Sequence, residues 1–199
     1  MARRKVQHAA QPDLFAEAPA AAIEGFVYQP EFLSGAEEAE LLAIVAALPL
    51  HEMQYKAYTA RRRGLSFGGQ YDFDANRLLP SHALVPELEP LRDKVADWLG
   101  VRPQQLVHAL LSEYRPGTPL GWHRDVPNFE VIAGVSLASD AVLQFRPYEN
   151  PQANQVLGWA VEPRSIYVMR DAARWAWQHR VLPTDALRYS ITFRTARRA

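Results

Sequence analysis

The second half of the chain consists of short β-like runs separated by turns, and this pattern restricts the fold more than any other feature of the sequence. The runs are rich in branched and aromatic residues and are bounded by turn-forming residues, as strands are. Several short strands at such spacing predict a β-sandwich or a barrel. The predicted strands are Val107–Tyr114, Val131–Leu137, Ala141–Arg146, Ser165–Met169 and Arg188–Arg194.

The first half predicts helices. Ser34 and Glu37 have the spacing of a capping box at the start of one helix, and Pro49 ends that helix. A second helix is predicted over Pro86–Gly100, because apolar residues recur on one face and glycine follows as a stop. Between them, Tyr55–Phe73 alternates aromatic and polar residues around glycines, which predicts a hairpin or a long flap. Helices followed by strands predict an α+β fold in which the helices buttress one sheet.

Composition indicates an ordinary globular protein. The chain has 199 residues, 48% of them hydrophobic and 22% charged, with a formal net charge of zero. Residues 1–22 are rich in alanine, proline and charge and predict a flexible tail. Residues 23–199 predict one domain, with a helical and flap part at 23–104 and a β-rich core at 105–197.

Several classes of site and location are excluded or disfavoured. The chain has no cysteine, which excludes disulfides, thiolate metal sites and cysteine nucleophiles. No apolar stretch approaches the roughly 18 residues of a membrane helix, and no secretory signal pattern is present at the N-terminus. We therefore expect a cytoplasmic protein with no membrane partner. The zero net charge gives no general argument for a polyanionic partner.

A His-x-Asp triplet, formed by His123 and Asp125, follows a proline–glycine turn. On a strand, residues i and i+2 point to the same face, so both side chains could reach one metal ion from one side. Two histidines and one carboxylate on a single face form the ligand set of non-haem iron(II) oxygenases. His179, 54 residues after Asp125, is the candidate for the third ligand. The alternative is a chance pair of surface residues.

The run Arg188–Arg194 has a polar and an apolar face. These faces are Arg188, Ser190, Thr192 and Arg194 on one side, and Tyr189, Ile191 and Phe193 on the other. A sandwich strand with its polar face in water would show the same pattern. If the polar face instead lines a barrel interior, its two arginines need anionic partners, because an unpaired buried charge is very costly. The gap between the two guanidinium groups would then suit a small diacid.

These motifs together resemble the AlkB branch of the iron(II)/2-oxoglutarate dioxygenases. The resemblance rests on the His-x-Asp triplet, the distant histidine, the Arg-x-Ser-x-Thr-x-Arg strand and the Tyr-x-Pro-Gly motif that begins at Tyr114. It is close over residues 106–194 and looser in the flap. It implies an α+β fold with a double-stranded β-helix (jelly-roll) core, buttressed by the N-terminal helices and carrying a nucleotide-recognition-like flap. It also implies Fe(II), 2-oxoglutarate as co-substrate and O2, and we expect a monomer.

The resemblance implies roles for individual residues. The iron ligands and catalytic residues would be His123, Asp125 and His179. Tyr114 would donate its hydroxyl to 2-oxoglutarate, and Arg188 would form a salt bridge with the far carboxylate of that molecule. Arg194 would lie nearer the metal. Ser112 and Ser190 stand where some members of the family have asparagine, and we expect both to contact the co-substrate.

The resemblance further implies a methylated nucleic acid, DNA or RNA, whose damaged base enters the pocket and is demethylated. In the flap, the arginines would meet phosphates and the aromatic residues would stack on the base; these are Arg61, Arg62 and Arg63, and Phe67, Tyr71 and Phe73. Pro127 departs from the family, because some DNA-repair members have an acidic base-reading residue there. Two alternatives stay open: a dioxygenase of the same mechanism acting on a protein side chain or small molecule, and a non-catalytic binding module. The basic and aromatic flap favours the nucleic-acid hypothesis.

Overall fold

The structure is a computed structural model that describes residues 23–55, 58–72, 77–152 and 155–197, so the predicted tail at 1–22 lies outside the described residues. The strands are β1 Phe26–Gln29, β2 His51–Tyr55, β3 Tyr58–Phe67, β4 Gln70–Asp72, β5 Arg77–Leu79, β6 Leu106–Tyr114, β7 Leu120–His123, β8 Phe129–Leu137, β9 Ala141–Pro147, β10 Leu157–Val161, β11 Ile166–Met169, β12 Trp177–Val181 and β13 Arg188–Ala196. The helices are α1 Gly35–Ala47, α2 Glu89–Leu99 and α3 Asp171–Trp175, with 3-10 turns at Pro86–Leu88 and Pro103–Gln105. In these ranges, no helix combines the length and the hydropathy required to cross a membrane.

Two antiparallel sheets contain most of the strands. The larger sheet has seven strands in the order β1-β11-β8-β13-β6-β3-β2, and the smaller has four in the order β10-β9-β12-β7. A separate ribbon pairs β4 with β5. β13 lies in the middle of the larger sheet, where it is hydrogen bonded to β6 on one side and to β8 on the other. Residues on β13 are therefore held by two neighbouring strands.

Local capping determines where the two longer helices begin and end. The Ser34 hydroxyl accepts a hydrogen bond from the backbone N–H of Glu37, and the Glu37 carboxylate accepts one from the backbone N–H of Ser34. The predicted capping box is therefore confirmed. Hydrogen bonds from Lys94 and from Ser34 lower the pKa of Glu37 to about 2. α2 ends at Gly100, whose φ of 68° is left-handed and costs glycine little.

Both of these helices pack on the outer face of the larger sheet. A single hydrophobic cluster joins residues of α1, α2, β6, β8 and β13, namely Leu41, Val45, Leu91, Val95, Leu111, Val135, Ile191 and Phe193. The apolar face of β13 is thus turned towards the helices. Because successive residues of a strand point to opposite sides, the polar face of β13 points towards the smaller sheet.

A second hydrophobic cluster lies between the two sheets. It includes Ile132, Tyr167 and Met169 from the larger sheet and Leu143, Phe145 and Val181 from the smaller one. Gly134 on β8 makes room for the Tyr167 side chain, because a Cβ at that position would lie 2.4 Å from the ring carbon Cζ of Tyr167. The ring therefore lies across β8 and faces the space between the sheets.

The predicted α+β class, with a jelly-roll core buttressed by N-terminal helices, is confirmed. The five predicted strands are present, and the segment Tyr55–Phe73 contributes to β2, β3 and β4, with β2 paired to β3 as a hairpin. Two strands of the smaller sheet, β10 and β12, were not predicted. Gly158 in β10 resembles a turn residue in sequence, and β12 has a polar centre at Gln178 and His179. The division into a tail and one domain stays a prediction.

Candidate active site

A cavity of about 920 Å³ opens between the two sheets. The wall on the side of the larger sheet includes Ser112, Tyr114, Arg188, Ser190, Thr192 and Arg194. The wall on the side of the smaller sheet includes His123, Leu143, His179 and Val181. The polar face of β13 therefore lines an interior rather than the protein surface, as expected if this strand belongs to the wall of a barrel.

The predicted metal ligands meet at one side of this cavity. His123 on β7 is the register partner of His179 on β12, and their ring centroids are 4.2 Å apart. An Asp125 carboxylate oxygen lies 3.7 Å from Nε2 of His179. One ligand atom from each of the three residues lies within 4.8 Å of the other two. Two imidazole nitrogens and one carboxylate oxygen on one side form a donor set that suits iron(II) and leaves the opposite positions open.

Asp125 reaches this cluster from a loop. β7 ends at His123, and Asp125 follows in the loop that leads to β8. The prediction that both residues share one face of a strand was therefore wrong. The ladder between β7 and β12 stops at the pair of His123 and His179, so strand pairing does not orient the carboxylate.

The Asp125 loop is held by Arg174, a residue of α3 that was not predicted to have a role. The Arg174 guanidinium donates hydrogen bonds to the backbone carbonyl oxygens of Asp125 at 3.2 Å, Val126 at 2.7 Å and Phe129 at 3.0 Å. Arg174 is only 3% exposed, and its Cζ lies 4.1 Å from the ring centroid of Trp175. Three charge-assisted hydrogen bonds to one loop fix its backbone, and thereby the direction of the Asp125 side chain.

Replacing Arg174 with methionine should weaken Fe(II) binding about 10- to 100-fold, the range found for residues that orient metal ligands. Loss of the buried hydrogen bonds should also lower the free energy of unfolding by about 2–4 kcal/mol. Anaerobic titration with Fe(II) and denaturant unfolding measure the two effects. Arg170→Met is the matched control, because the Arg170 side chain is 51% exposed and should change neither quantity. Wild-type metal affinity in Arg174→Met would contradict this positioning role.

Arg194 links the acidic ligand to the core of the protein. Its Nη2 donates to Oδ1 of Asp125 at 2.9 Å, and its Nη1 donates to the Thr192 hydroxyl at 2.9 Å. The same Nη1 lies 3.2 Å from Nδ1 of His108, whose ring packs on Phe129 with centroids 4.7 Å apart. Burial, together with the positive charge of Arg194, lowers the pKa of His108 to about 3. His108 is therefore neutral and can accept this hydrogen bond.

The environment of the cluster favours the protonation states that bind metal. Burial, with the neighbouring His123 adding to it, lowers the pKa of His179 to about 3, and burial also lowers the pKa of His123. Burial alone would raise the pKa of Asp125, but the neighbouring groups, with the guanidinium of Arg194 first among them, together outweigh burial and hold that pKa well below its usual value. At neutral pH the two imidazoles are neutral and the carboxylate is charged, as metal coordination requires.

Arg188 lies at the opposite end of the polar face of β13 and is 2% exposed. Its register partner on β6 is Tyr114, and its Cζ lies 5.1 Å from the centroid of that ring. Nε of Arg188 donates to the Ser136 hydroxyl at 3.0 Å, whereas the buried Nη1 has no hydrogen-bond partner within the described ranges. A buried guanidinium with an unsatisfied N–H requires an acceptor, and a carboxylate is the strongest one available.

Three serines form a row across the larger sheet between the two arginines. Ser112, Ser190 and Ser136 are register partners on β6, β13 and β8, and all three are 4% exposed or less. Ser112 and Ser190 line the cavity, whereas Ser136 holds Arg188. A hydroxyl both donates and accepts hydrogen bonds, so this row offers a polar surface on which a dicarboxylate could lie.

Sequence reasoning missed several polar residues of the cavity. Tyr167 lines the cavity and is 6% exposed, and burial raises its pKa to about 12, so its hydroxyl stays protonated. Ser136 and Tyr167 each interrupt an apolar strand, and a polar residue in such a strand is a usable signal. Arg174 sits on a five-residue helix with no pattern that distinguishes it from a surface arginine.

The residues predicted to contact the substrate lie in different parts of the structure. Tyr71 lines the cavity. Arg63 does not line it and instead pairs with Glu113 at 3.2 Å. Phe67 is 3% exposed within the helix-side core, where a base could not stack without opening that core. Phe73 lies outside the described residues. Of the three described residues, Tyr71 is the one placed where a bound molecule could touch it.

Arg62, the neighbour of Arg63, lies on the cavity side of β3. It is 5% exposed, and its Nη1 donates to the Tyr114 hydroxyl at 3.4 Å. His51 and His82 line the same part of the cavity. Adjacent residues of a strand point in opposite directions, so a run of three arginines could not reveal which of them faces inwards.

The sequence profile described as the 2OG-Fe(II) oxygenase superfamily matches residues 25–194. The chain belongs to this superfamily. Its members are oxidoreductases that use Fe(II), 2-oxoglutarate and O2, so the predicted enzyme class and cofactors are confirmed at the level of the family.

Three known proteins are similar to this 2OG-Fe(II) oxygenase. "Uncharacterized protein L905" of Acanthamoeba polyphaga mimivirus is 29% identical over 141 residues, which are 61% of this chain and 63% of that protein, so the match covers less than two thirds of the relative. The structure of OsALKBH1 is similar with a TM-score of 0.64 at 13% identity, over 86% of this chain and 96% of that one. An oxidoreductase of the 2OG-Fe(II) oxygenase family from Burkholderia pseudomallei gives a TM-score of 0.58 at 17% identity, over 87% of this chain and 86% of that one. The last two similarities show a shared fold, as the AlkB resemblance implied.

The residues of the cavity fit the cofactors of the superfamily. The three clustered side chains supply nitrogen and oxygen donors in their deprotonated forms. The buried Nη1 of Arg188, unsatisfied among the described residues, provides a donor for a carboxylate at the other end of β13. A metal ion and a dicarboxylate can therefore be accommodated in one cavity without an additional charge being left unpaired.

Proposed function

We propose that this oxygenase removes methyl groups from nitrogen atoms of nucleobases in DNA or RNA, in alkylation repair or RNA demethylation. The volume of the cavity and the residues that line it support this proposal. Its volume of about 920 Å³ reaches from Arg188 past the metal-ligand cluster to His51, Arg62, Tyr71 and His82. A volume of this size accommodates more than a five-carbon diacid and leaves room for a planar base.

In this proposal, 2-oxoglutarate lies along the polar face of β13. Its far carboxylate pairs with Arg188, whose unsatisfied Nη1 supplies a charge-assisted hydrogen bond, and with the Tyr114 hydroxyl. Ser112 and Ser190 donate to the middle of the molecule. Arg194 acts at the other end, where its hydrogen bond to Asp125 holds the acidic ligand in place.

His123, Asp125 and His179 would hold the metal ion, and because all three line the cavity, the open side of this site faces the cavity. Bound Fe(II), together with 2-oxoglutarate and O2, supplies the oxidation of a C–H bond, and a hydroxylated N-methyl group leaves as formaldehyde. The protein positions the methyl group at this open side and excludes water. The apolar wall formed by Ile132, Leu143 and Val181 serves this second purpose.

Formaldehyde release from methylated oligonucleotides tests the proposal. Single-stranded DNA or RNA that carries 1-methyladenine or 3-methylcytosine should yield equal amounts of formaldehyde and succinate when Fe(II), 2-oxoglutarate and O2 are supplied. The unmethylated oligonucleotide of the same sequence should yield only background succinate. If the protein forms succinate but releases no formaldehyde from any of these substrates, the nucleobase proposal is wrong and the enzyme class is retained.

Pro127 favours a second candidate function. It follows Asp125 by two residues, at a position where some DNA-repair members of the AlkB branch have an acidic base-reading residue, and it is exposed in a turn. A proline side chain offers no hydrogen bond to a base. The second candidate is a dioxygenase of the same mechanism that acts on a protein side chain or a small molecule. Succinate formation stimulated by N-methylated peptides or amines, but by no oligonucleotide, would establish it.

A further inference from the structure

The outer face of the smaller sheet carries two arginines whose guanidinium groups pack against the same tryptophan ring. The Cζ atoms of Arg146 on β9 and Arg180 on β12 each lie 4.5 Å from the centroid of the Trp122 ring on β7. Arg124, two residues after Trp122, lies beside this stack in sequence. Because side chains alternate along a strand, Arg180 points away from the cavity that the preceding residue, His179, lines. We call Trp122, Arg124, Arg146 and Arg180 the arginine face.

Glutamines on neighbouring strands hold the two stacked guanidinium groups. Nε of Arg146 donates to Oε1 of Gln178 at 2.9 Å, and Nε of Arg180 donates to Oε1 of Gln144 at 2.8 Å. The two members of each pair are register partners on β9 and β12. Within the described ranges, the Nη atoms of Arg146 and Arg180 make no hydrogen bond. Guanidinium groups that are already fixed lose little side-chain entropy when their remaining N–H groups bind an anion.

The arginines of the arginine face form no ion pair within the described residues. No carboxylate oxygen among them lies within 4.0 Å of a side-chain nitrogen of Arg124, Arg146 or Arg180. Arg124 instead donates to the Trp175 carbonyl oxygen at 2.8 Å and lies 3.4 Å from the centroid of the Tyr148 ring. Three positioned cations on one surface, with no carboxylate to neutralise them, favour an anionic partner.

The arginine face is continuous with the cavity. Trp122 and Arg124 both line the cavity, and the residue between them is the metal-ligand candidate His123. We propose that the arginine face binds the phosphodiester backbone next to the nucleotide whose base enters the cavity. This inference rests on the proposed function. Two guanidinium groups already pack against the Trp122 ring, and contacts of such groups with phosphates are electrostatic and independent of base sequence. Continuity with a cavity that accommodates a base favours a phosphodiester chain over an acidic peptide.

The double variant Arg146→Gln/Arg180→Gln tests this proposal. Its Kd for a single-stranded methylated oligonucleotide, measured by fluorescence anisotropy, should rise about 30-fold at low salt. The slope of log K against log salt should fall by about 1.4, because each phosphate contact on a single strand contributes about 0.7. Arg92→Gln/Arg164→Gln is the matched control, since it removes the same charge from surface arginines that are paired with carboxylates. An unchanged slope in Arg146→Gln/Arg180→Gln would overturn the proposal.

A second measurement uses the wild-type protein and therefore does not depend on the folding of a variant. Neutral methylphosphonate linkages on both sides of the methylated base should raise the Kd about as much as the double substitution does. The same linkages at a distant end of the oligonucleotide should have little effect. If the flanking and the distant linkages have equal effects, the arginine face does not bind the neighbouring phosphates.

The experiments distinguish an error in the inference about the arginine face from an error in the proposed function. If the wild-type protein neither binds the oligonucleotide nor releases formaldehyde from it, the proposed function fails and the inference fails with it. If the wild type demethylates the oligonucleotide and Arg146→Gln/Arg180→Gln does so with an unchanged KM, the inference alone is wrong. A polyglutamate peptide that binds the wild type more tightly than the oligonucleotide, and loses affinity in the variant, would assign the face to an acidic protein and overturn the proposal.

Discussion

Replacing Asp125 with alanine should weaken Fe(II) binding by at least about 100-fold and abolish succinate formation. Residues that merely orient metal ligands already contribute about 10- to 100-fold, and loss of a ligand should exceed that range. Asp125 also accepts a hydrogen bond from Arg194 at 2.9 Å, so its removal leaves a buried guanidinium without its carboxylate. The measurement is the visible charge-transfer band that forms when Fe(II) and 2-oxoglutarate are added anaerobically, together with a succinate assay.

Two further variants make this result interpretable. Asp140→Ala removes an exposed carboxylate and should leave the band and the succinate yield unchanged. Asp125→Asn keeps the size of the side chain and one oxygen acceptor for Arg194, so it should fold like the wild type while still losing the band. A wild-type band in Asp125→Asn would exclude the carboxylate from the metal site.

Replacing Arg188 with methionine should raise the KM for 2-oxoglutarate about 100-fold, while kcat at saturating co-substrate changes by less than about threefold. The expected loss is about 3 kcal/mol, as for a bidentate charge-assisted contact. Arg188 is placed at the far end of β13 from Arg194, so its removal should affect binding of the co-substrate rather than the metal. Succinate formation as a function of 2-oxoglutarate concentration measures both constants.

Arg63→Met is the control for Arg188→Met, because Arg63 is an ion-paired arginine of the same sheet that does not line the cavity. It should leave the KM for 2-oxoglutarate within about twofold of the wild type. Arg188→Lys keeps the charge without the planar fork and should recover about tenfold of the loss. Equal KM values in Arg188→Met and Arg63→Met would show that Arg188 does not contact the co-substrate.

Local patterns in the sequence predicted those parts of the fold that depend on local physics. The capping box at Ser34 and the left-handed stop at Gly100 involve residues within one turn of a helix, so their spacing is sufficient. The alternation along Arg188–Arg194 likewise separates the two faces of β13. That pattern could not decide which face is internal, because the answer depends on the helices that pack against Ile191 and Phe193.

The remaining features depend on contacts between distant segments. Asp125 is oriented by Arg174, a residue 49 positions later, through hydrogen bonds to backbone oxygens that no side-chain pattern encodes. The choice between Arg62 and Arg63 depends on the register of β3 against β6, which a run of identical residues leaves undetermined. The burial of Phe67 could not be predicted for a similar reason, because the pattern identified an aromatic residue in a hairpin but not the core into which it folds.

The two halves of the site lie on strands that differ in their number of hydrogen-bonded neighbours. Arg188, Ser190 and Arg194 lie on β13, which has a bonded strand on each side, whereas His123 ends the four-residue strand β7 at the border of the smaller sheet. A strand with one neighbour opens locally at a lower free energy than a central strand does. A metal ion held by His123, Asp125 and His179 would join β7, the Asp125 loop and β12, so metal binding and closure of this border would be thermodynamically linked. The bound ion would then stabilise the part of its own site that the sheet holds less firmly.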